Sequence, residues 1–312
     1  MKLTQKQEGH VIMFFVALIF GLNMPVSKYI LSEGYISSFG LTVLRMTFAT
    51  CAFWVTSFFL PKEKVEKRDM VTLFFGGIFG IVLNQGSFVY GLATTSPVDA
   101  SIITTASPLF AMVIAAIVLK EPITAKKFGG VIIGAIGAIF LVYSTHHGGT
   151  QGGSLQGNLA VASGAFFYAF YLIWTKNISK KYSAVTMMKW MFLYSTIILL
   201  PFASKDIVSA NLFEQADIVP YLLVGFVLLG ATYITYMLMP MVQKRMRPTT
   251  MAMYNNLQPL VASFVAIMIG QDKFSLEKII SAILILLGVY LVTQSKSKAD
   301  LDAEKIAENT VK

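Results

Sequence analysis

Apolar and polar stretches alternate along the whole chain, and the apolar ones are long. Ten apolar segments run over residues 10–31, 37–60, 70–93, 98–119, 127–143, 157–177, 184–203, 218–240, 249–270 and 277–294. About 20 apolar residues span a bilayer as helix, whereas barrel strands are shorter and alternate in polarity. The pattern predicts an all-α integral membrane protein with ten transmembrane helices.

The composition agrees with a membrane protein. Of the 312 residues, 55% are hydrophobic and 13% are charged, whereas a soluble domain usually has about a quarter charged residues. The single cysteine, Cys51, lies inside an apolar run, so no intramolecular disulfide can form.

The charged residues predict an orientation. If the N-terminus is cytoplasmic, 19 of the 25 Lys and Arg lie on the cytoplasmic side, 3 lie outside and 3 lie within segments. Short cytoplasmic loops carry such an excess of positive charge. Both termini are therefore expected in the cytoplasm, with the chain in a bacterial cytoplasmic membrane. The basic residues, spread over several loops, favour contact with anionic lipid headgroups over nucleic acid.

A spacing of 151 residues relates the two halves of the chain. PVDASIITTASPL (97–109) and PTTMAMYNNLQPL (248–260) share Pro-Leu eleven residues after their first proline. A shift of 148 also places Lys28 on Lys176, and both are expected to extend toward the membrane surface from the ends of their segments. Five segments in each half would give the halves opposite orientations, as in many transporters.

The repeat predicts the domain organisation. Residues 1–144 form the first five-helix repeat, 145–156 an extracytoplasmic Gly-rich linker, 157–294 the second repeat and 295–312 a charged cytoplasmic tail. His146 and His147 in the linker have no further ligands nearby in sequence, so no metal site and no cofactor are expected.

Prolines and glycines mark particular helices. Pro108 and Pro259 fall near the middle of segments 4 and 9, where a proline is expected to kink the helix. The motifs Gly76-x-x-x-Gly80 and Gly130-x-x-x-Gly134 are expected to permit close helix packing.

Three stretches resemble one family. FGLNMPVSKYI (20–30), LRMTF (44–48) and SPLFAMVIAAIVLKEPITAKKFGGVIIGAIGAIFLV (107–142) are similar to the first, second and fourth-to-fifth helices of EamA transporters, in the drug/metabolite transporter superfamily. The chain has Phe20-Gly21 where many members have Trp-Gly. The resemblance implies two inverted five-helix repeats and a small-metabolite exporter or permease.

Polar residues within the segments predict a substrate site near the membrane midplane, because such groups usually face the bundle interior or an aqueous path. Segment 8 also carries Tyr236, three residues after Tyr233. The predicted site residues are Asn23, Ser27, Arg45, Asn84, Gln85, Thr104, Thr105, Tyr168, Tyr171, Trp174, Tyr233, Asn255, Asn256 and Gln258. Hydrogen bonding between helices is the alternative for each of them.

The charges inside the segments bear on mechanism. Arg45 either pairs with Asp99, Glu33 or a helix-end carbonyl, or faces the cavity and attracts an anionic or zwitterionic substrate. No carboxylate lies deep in a segment, which favours transport that is not strictly driven by protons.

The resulting prediction is a monomeric transporter that moves a small organic metabolite or drug-like compound, such as an amino acid, by alternating access. A channel-like facilitator and an uptake permease are the alternatives. An enzyme is not expected, since all three histidines lie outside the segments or at their ends and no buried acid pair is present.

Overall fold

Each of the ten apolar segments contains helix in the computed structural model, which describes residues 4–95, 100, 103–145, 154–268, 276–296 and 301. Most of the expected linker and of the charged tail lies outside these residues. The α-helices are α1 Gln5–Ser32, α2 Ser38–Phe58, α3 Lys67–Gly77, α4 Asn84–Thr94, α5 Ser107–Val118, α6 Ala125–Thr145, α7 Leu155–Trp174, α8 Ile178–Lys181, α9 Ala184–Val208, α10 Val219–Gly225, α11 Thr235–Arg245, α12 Pro248–Met253, α13 Leu257–Met268 and α14 Leu276–Gln294.

Within the described part of the chain, six stretches of helix are long and apolar enough to cross a membrane. They are Gln5–Ser32, Ser38–Phe58, Lys67–Thr94, Leu155–Trp174, Ala184–Phe202 and Val219–Arg245, and shorter apolar helices cover Ser107–Val118 and Ile279–Gln294. Large apolar side chains such as Phe58, Ile117 and Phe202 are at least 74% exposed. The described residues contain no β-strand. This architecture fits an integral membrane protein.

Two helices contain a π-helical stretch. The first, π1, covers Ile78–Leu83 between α3 and α4, and the second, π2, covers Phe226–Ile234 between α10 and α11. Their first residues are 148 positions apart and their last residues 151, which matches the internal spacing of the sequence. A π-turn is rare and frequently lies at a functional site.

Segments 4 and 9 are interrupted rather than simply kinked. A turn at residues 105–106 precedes α5, and a short 3₁₀ helix, Tyr254–Asn256, precedes α13. Pro108 and Pro259 lie in the first turn of the helix that follows each interruption. The expectation of a mid-helix kink is therefore corrected: a proline fits the first turn because its missing N–H has no partner to lose there.

The long helices form two groups around the centre of the molecule. In the first group, α1 packs along π2, α11 and α13; in the second group, α7 packs along π1, α4 and α5. Two further pairs of helices, α2 with α9 and α6 with α14, pack against each other more extensively than any other described pair.

The two ends of the bundle differ in charge, because one of them carries the basic run PKEKVEKRD (61–69). One end, here called the basic end, includes the loop at 59–66, where the Glu63 carboxylate accepts hydrogen bonds from the Ser183 N–H at 3.0 Å and hydroxyl at 2.9 Å. Burial raises the pKa of Glu63, but hydrogen bonds from Thr186 and Ser183 outweigh this effect and bring the pKa below the usual value of a glutamate. At the opposite end, the Leu212 N–H donates to the Tyr35 carbonyl at 2.8 Å.

Glycines allow α6 and α14 to approach closely. A Cβ on Gly288 would lie 2.6 Å from Gly134 Cα and 2.7 Å from the Gly130 carbonyl oxygen. A Cβ on Gly137, which is 151 residues before Gly288, would lie 2.7 Å from Leu284 Cβ. Close backbone packing of this kind is what the Gly130-x-x-x-Gly134 motif predicts.

Candidate functional site

A cavity of about 80 Å³, lined by polar and apolar side chains, lies between the two helix groups. This volume is several times what one water molecule requires. The lining residues are Phe20, Asn23, Arg45, Asn84, Gln85, Phe88, Thr104, Ser107, Gly164, Ala165, Tyr168, Tyr171, Tyr236, Met239, Asn255 and Gln258. The interrupted segments 4 and 9 both reach this cavity, through Thr104 and Ser107 on one side and Asn255 and Gln258 on the other.

Most of the residues that the sequence singles out line this cavity. They are Asn23, Arg45, Asn84, Gln85, Thr104, Tyr168, Tyr171, Asn255 and Gln258. The other five do not line it: Ser27, Thr105, Trp174, Tyr233 and Asn256.

Three of these five residues make contacts elsewhere. The Ser27 hydroxyl donates to Asn23 Oδ1 at 3.1 Å, so it supports a lining residue from behind. The Tyr233 hydroxyl lies 2.6 Å from Thr56 Oγ1, and the Trp174 indole N–H donates to the Thr72 carbonyl at 3.2 Å. Helix packing, the alternative that the sequence leaves open, accounts for Tyr233 and Trp174.

The remaining two are fully enclosed. Asn256 has no exposed surface, and neither atom of its side-chain amide has a hydrogen-bond partner among the residues that the structure describes. Thr105 is also buried, at the turn that interrupts segment 4. Each is adjacent in sequence to a residue that lines the cavity: Thr105 follows Thr104, and Asn256 follows Asn255.

The predicted site residues leave out several residues that line the cavity. They are Phe20, Phe88, Ser107, Gly164, Ala165, Tyr236 and Met239. Helical spacing could have found Phe88, three residues after Gln85, and the internal repeat could have found Tyr236, 151 residues after Gln85. Gly164 and Ala165 give no such signal, because they line the cavity only through their small size.

Hydrogen bonds hold the amide side chains of the cavity in place. Asn84 Nδ2 donates to the Gly164 carbonyl at 2.9 Å, and Gln85 Nε2 donates to the Tyr236 hydroxyl at 2.6 Å. The Tyr236 hydroxyl in turn donates to the Gly80 carbonyl at 3.3 Å, within π1. The cavity wall is therefore fixed by contacts between α4, α7, α11 and π1.

Arg45 brings a positive charge to the cavity. Its side chain is 3% exposed, Nε donates to Thr232 Oγ1 at 2.8 Å, and Nη2 donates to the Ala231 carbonyl at 3.4 Å. Within the described ranges, no carboxylate lies at ion-pair distance from Arg45, and Glu33 is not its partner. Asp99, the other partner considered from the sequence, lies outside those ranges.

Two lysines connect the helix groups at opposite ends of the cavity. Lys28 Nζ, on α1, donates to the Leu92 carbonyl at 2.9 Å and the Thr95 carbonyl at 3.5 Å, at the end of α4. Toward the basic end, Lys176 Nζ, just after α7, donates to carbonyls at the end of α11. These acceptors belong to Gln243 and Met246.

The two lysine contacts are equivalent in the internal repeat. Lys28 and Lys176 are 148 residues apart, and both pairs of acceptors, Leu92 with Gln243 and Thr95 with Met246, are 151 apart. Instead of extending to the membrane surface, as the sequence suggests, each ammonium group binds unpaired carbonyls at a helix C-terminus, where a positive charge is favourable.

Comparison with known proteins gives consistent results. The chain is 22% identical over 288 residues to an uncharacterized transporter of Archaeoglobus fulgidus, covering 92% of this chain and 99% of that one. It is 23% identical over 294 residues to the uncharacterized transporter YyaM of Bacillus subtilis, covering 90% and 92%. It is 22% identical over 323 residues to the WAT1-related protein At1g43650 of Arabidopsis thaliana, covering 96% and 94%.

A crystal structure has the same fold, with a TM-score of 0.70 at 17% sequence identity over 92% of this chain and 98% of that chain. The model of the EamA-like transporter family matches residues 7–143 and 155–294. These two ranges cover most of the chain and correspond to its two halves. The chain belongs to the EamA-like transporter family.

Proposed function

We propose that the chain is a carrier that moves a small organic metabolite or drug-like compound, such as an amino acid, across the cytoplasmic membrane by alternating access. The observation that carries this proposal is a cavity between two helix groups, with an equivalent lysine contact joining the groups toward each end. We further propose that the carrier works as a monomer and as an exporter or permease.

Repeated structural features support two inverted five-helix repeats. The π-helices, the interruptions of segments 4 and 9, the lysine contacts and the two family matches all recur once in each half. The paired contacts of Lys28 and Lys176 lie toward opposite ends of the bundle, as inversion of one half requires. Ten crossings, with the Gly-rich linker outside and both termini inside, complete this architecture.

The lysine contacts also suggest how the cavity opens. Lys28, in the first helix group, binds the second group near the end of the bundle opposite the basic end. Lys176, which follows the second group's α7, binds the first group near the basic end. Release of one contact, while the other holds, would let the groups separate at one end only. Alternating access requires this asymmetric opening, because a carrier never opens to both sides at once.

We expect Lys176→Met to expose the cavity toward the basic end and Lys28→Met to expose it toward the other end of the bundle. A hydrogen bond from a charged group contributes about 1.5–3 kcal/mol, so loss of one contact would shift the open population at least about tenfold. Alkylation of a Ser107→Cys reporter, in a Cys51→Ser background and from each side of sealed vesicles, measures the exposure.

Lys180→Met is the control, since Lys180 is exposed near the basic end and its ammonium makes no hydrogen bond with described residues. This variant should leave both labelling rates unchanged. Equal labelling of Lys28→Met and Lys176→Met from the same side would contradict the gating role of the two lysines.

Counterflow distinguishes a carrier from a channel-like facilitator. Proteoliposomes are screened with a metabolite panel, and each transported compound is then tested with and without a high internal concentration of itself. A carrier should take up external label several-fold faster into preloaded vesicles, because the loaded site returns faster than the empty one. Uptake that never saturates and does not respond to preloading would instead establish a channel. Flux should persist with a protonophore present.

A further inference from the structure

We infer that the transported compound is an organic anion whose carboxylate binds Arg45 in this cavity. This inference names the substrate class of the proposed carrier and therefore rests on the proposed function. It is argued from the charges and the unpartnered polar atoms of the cavity.

The charge of the lining has one sign. Arg45 is the one charged side chain among the residues that line the cavity, and the described lining contains no Asp or Glu. A guanidinium stays protonated in proteins, so the positive charge persists at every physiological pH. An amine in the same cavity would meet a like charge without a carboxylate to pair with it.

The Arg45 guanidinium has unused hydrogen-bonding capacity. It has five N–H donors, and the described protein groups accept from Nε and Nη2, through Thr232 and Ala231. Neither acceptor is charged. A buried cation without a counter-ion is unfavourable, and an anion bound in the cavity would remove that cost.

Two tyrosine hydroxyls add to the donors. Tyr168 and Tyr171 line the cavity, and the hydroxyl oxygen of Tyr168 is buried without a hydrogen-bond partner among the described residues. Tyr236 lines the same cavity as both tyrosines and Arg45. Its own hydroxyl is already bonded to Gln85 and Gly80.

This donor set suits a carboxylate. A carboxylate has two oxygens with about four acceptor positions, and it accepts the planar guanidinium with good geometry. The rest of the lining supplies apolar surface from Phe20, Phe88 and Met239 and neutral amides from Asn255 and Gln258. A small carboxylic acid with an apolar body therefore matches both the charge and the surroundings.

The test compares three probes that share one apolar body: 3-phenylpropionate, 3-phenylpropanamide and 3-phenylpropylamine. Benzoate, octanoate and phenylalanine vary the body around the same carboxylate. Binding to the purified full chain is measured by calorimetry and by the ligand-induced shift in melting temperature. We expect at least one carboxylate to bind at least tenfold more tightly than the matched amide, and the amine to bind more weakly still.

Variants assign this preference to the named groups. Arg45→Gln should abolish the tenfold difference between carboxylate and amide, and Arg45→Lys should retain part of it. Tyr168→Phe and Tyr171→Phe, which keep the ring packing, should each weaken carboxylate binding about threefold to twelvefold. The two tyrosine variants still test the proposal if the Arg45→Gln protein does not fold. Arg247→Gln is the control, because Arg247 binds the Val292 carbonyl outside the cavity.

Three outcomes would overturn the inference: no carboxylate binds, the amide or amine binds as well as the acid, or the preference survives in Arg45→Gln. The last of these would place the anion at another site. Carboxylate binding at Arg45 without flux of any compound in proteoliposomes would instead refute the carrier function and leave the anion site standing. Flux of an amine but of no carboxylate would instead support the carrier function and refute the anion site.

Discussion

Glu121→Gln is expected to lower the free energy of unfolding by about 3–5 kcal/mol, because it leaves a buried charge without its partner. Lys127 has no exposed surface, and its ammonium lies 2.7 Å from Glu121 Oε2 in an ion pair. Loss of the carboxylate charge leaves the ammonium with neither water nor a counter-ion. The melting temperature in detergent and the denaturant midpoint measure the effect.

A second variant separates the ion pair from the loop that carries it. The double change Glu121→Gln with Lys127→Met removes both charges and should recover most of the lost stability, since an apolar side chain can occupy the buried position. Lys126→Met is the control, because Lys126 is exposed on the adjacent position. If Glu121→Gln were as stable as the parent protein, Lys127 would have to find another partner.

Gly288→Ala is expected to cost about 2–3 kcal/mol, at the upper end of typical overpacking effects. The added methyl group would lie 2.6–2.7 Å from the Gly134 and Gly130 backbones, which cannot move aside as a flexible side chain would. The pair α6 and α14 must then separate along its length. The melting temperature and the detergent half-life at a fixed temperature report this loss.

Gly129→Ala is a matched control for this substitution. Gly129 lies on α6, beside Gly130, but a Cβ there would have no atom within 4 Å. The change should leave stability the same or raise it slightly, because alanine is the better helix former by about 1 kcal/mol. Equal losses in Gly288→Ala and Gly129→Ala would show that helix propensity, not the close crossing, determines the result.

The apolar pattern predicted where the helices lie, with ends within a few residues, because a bilayer-length apolar run has few alternatives to helix. It did not predict the two π-helices, since their sequences IFGIVL and FVLLGATYI contain no residue type that requires a wider turn. The prolines marked the interruptions of segments 4 and 9, but the breaks themselves lie just before Pro108 and Pro259.

The candidate site was predicted in part. Buried polar side chains such as Asn84 and Gln85 are conspicuous in an apolar helix, so the sequence alone identified them. It could not separate Tyr233 from Tyr236, because only the packing shows that Tyr233 bonds to Thr56 and Tyr236 lines the cavity. The roles of Lys28 and Lys176 were missed because their acceptors are backbone carbonyls, which every residue possesses.

The contact between Gln85 and Tyr236 bears on the origin of the proposed two-repeat architecture. The two positions are equivalent in the repeat, and their side chains meet each other at 2.6 Å. In an ancestral pair of identical chains, the same residue would face its own copy at that place. Two separate genes, or one fused gene, are needed before an amide donor can face a phenol. In the proposed two-repeat carrier, this pair makes the centre of the protein asymmetric, which two identical halves could not be.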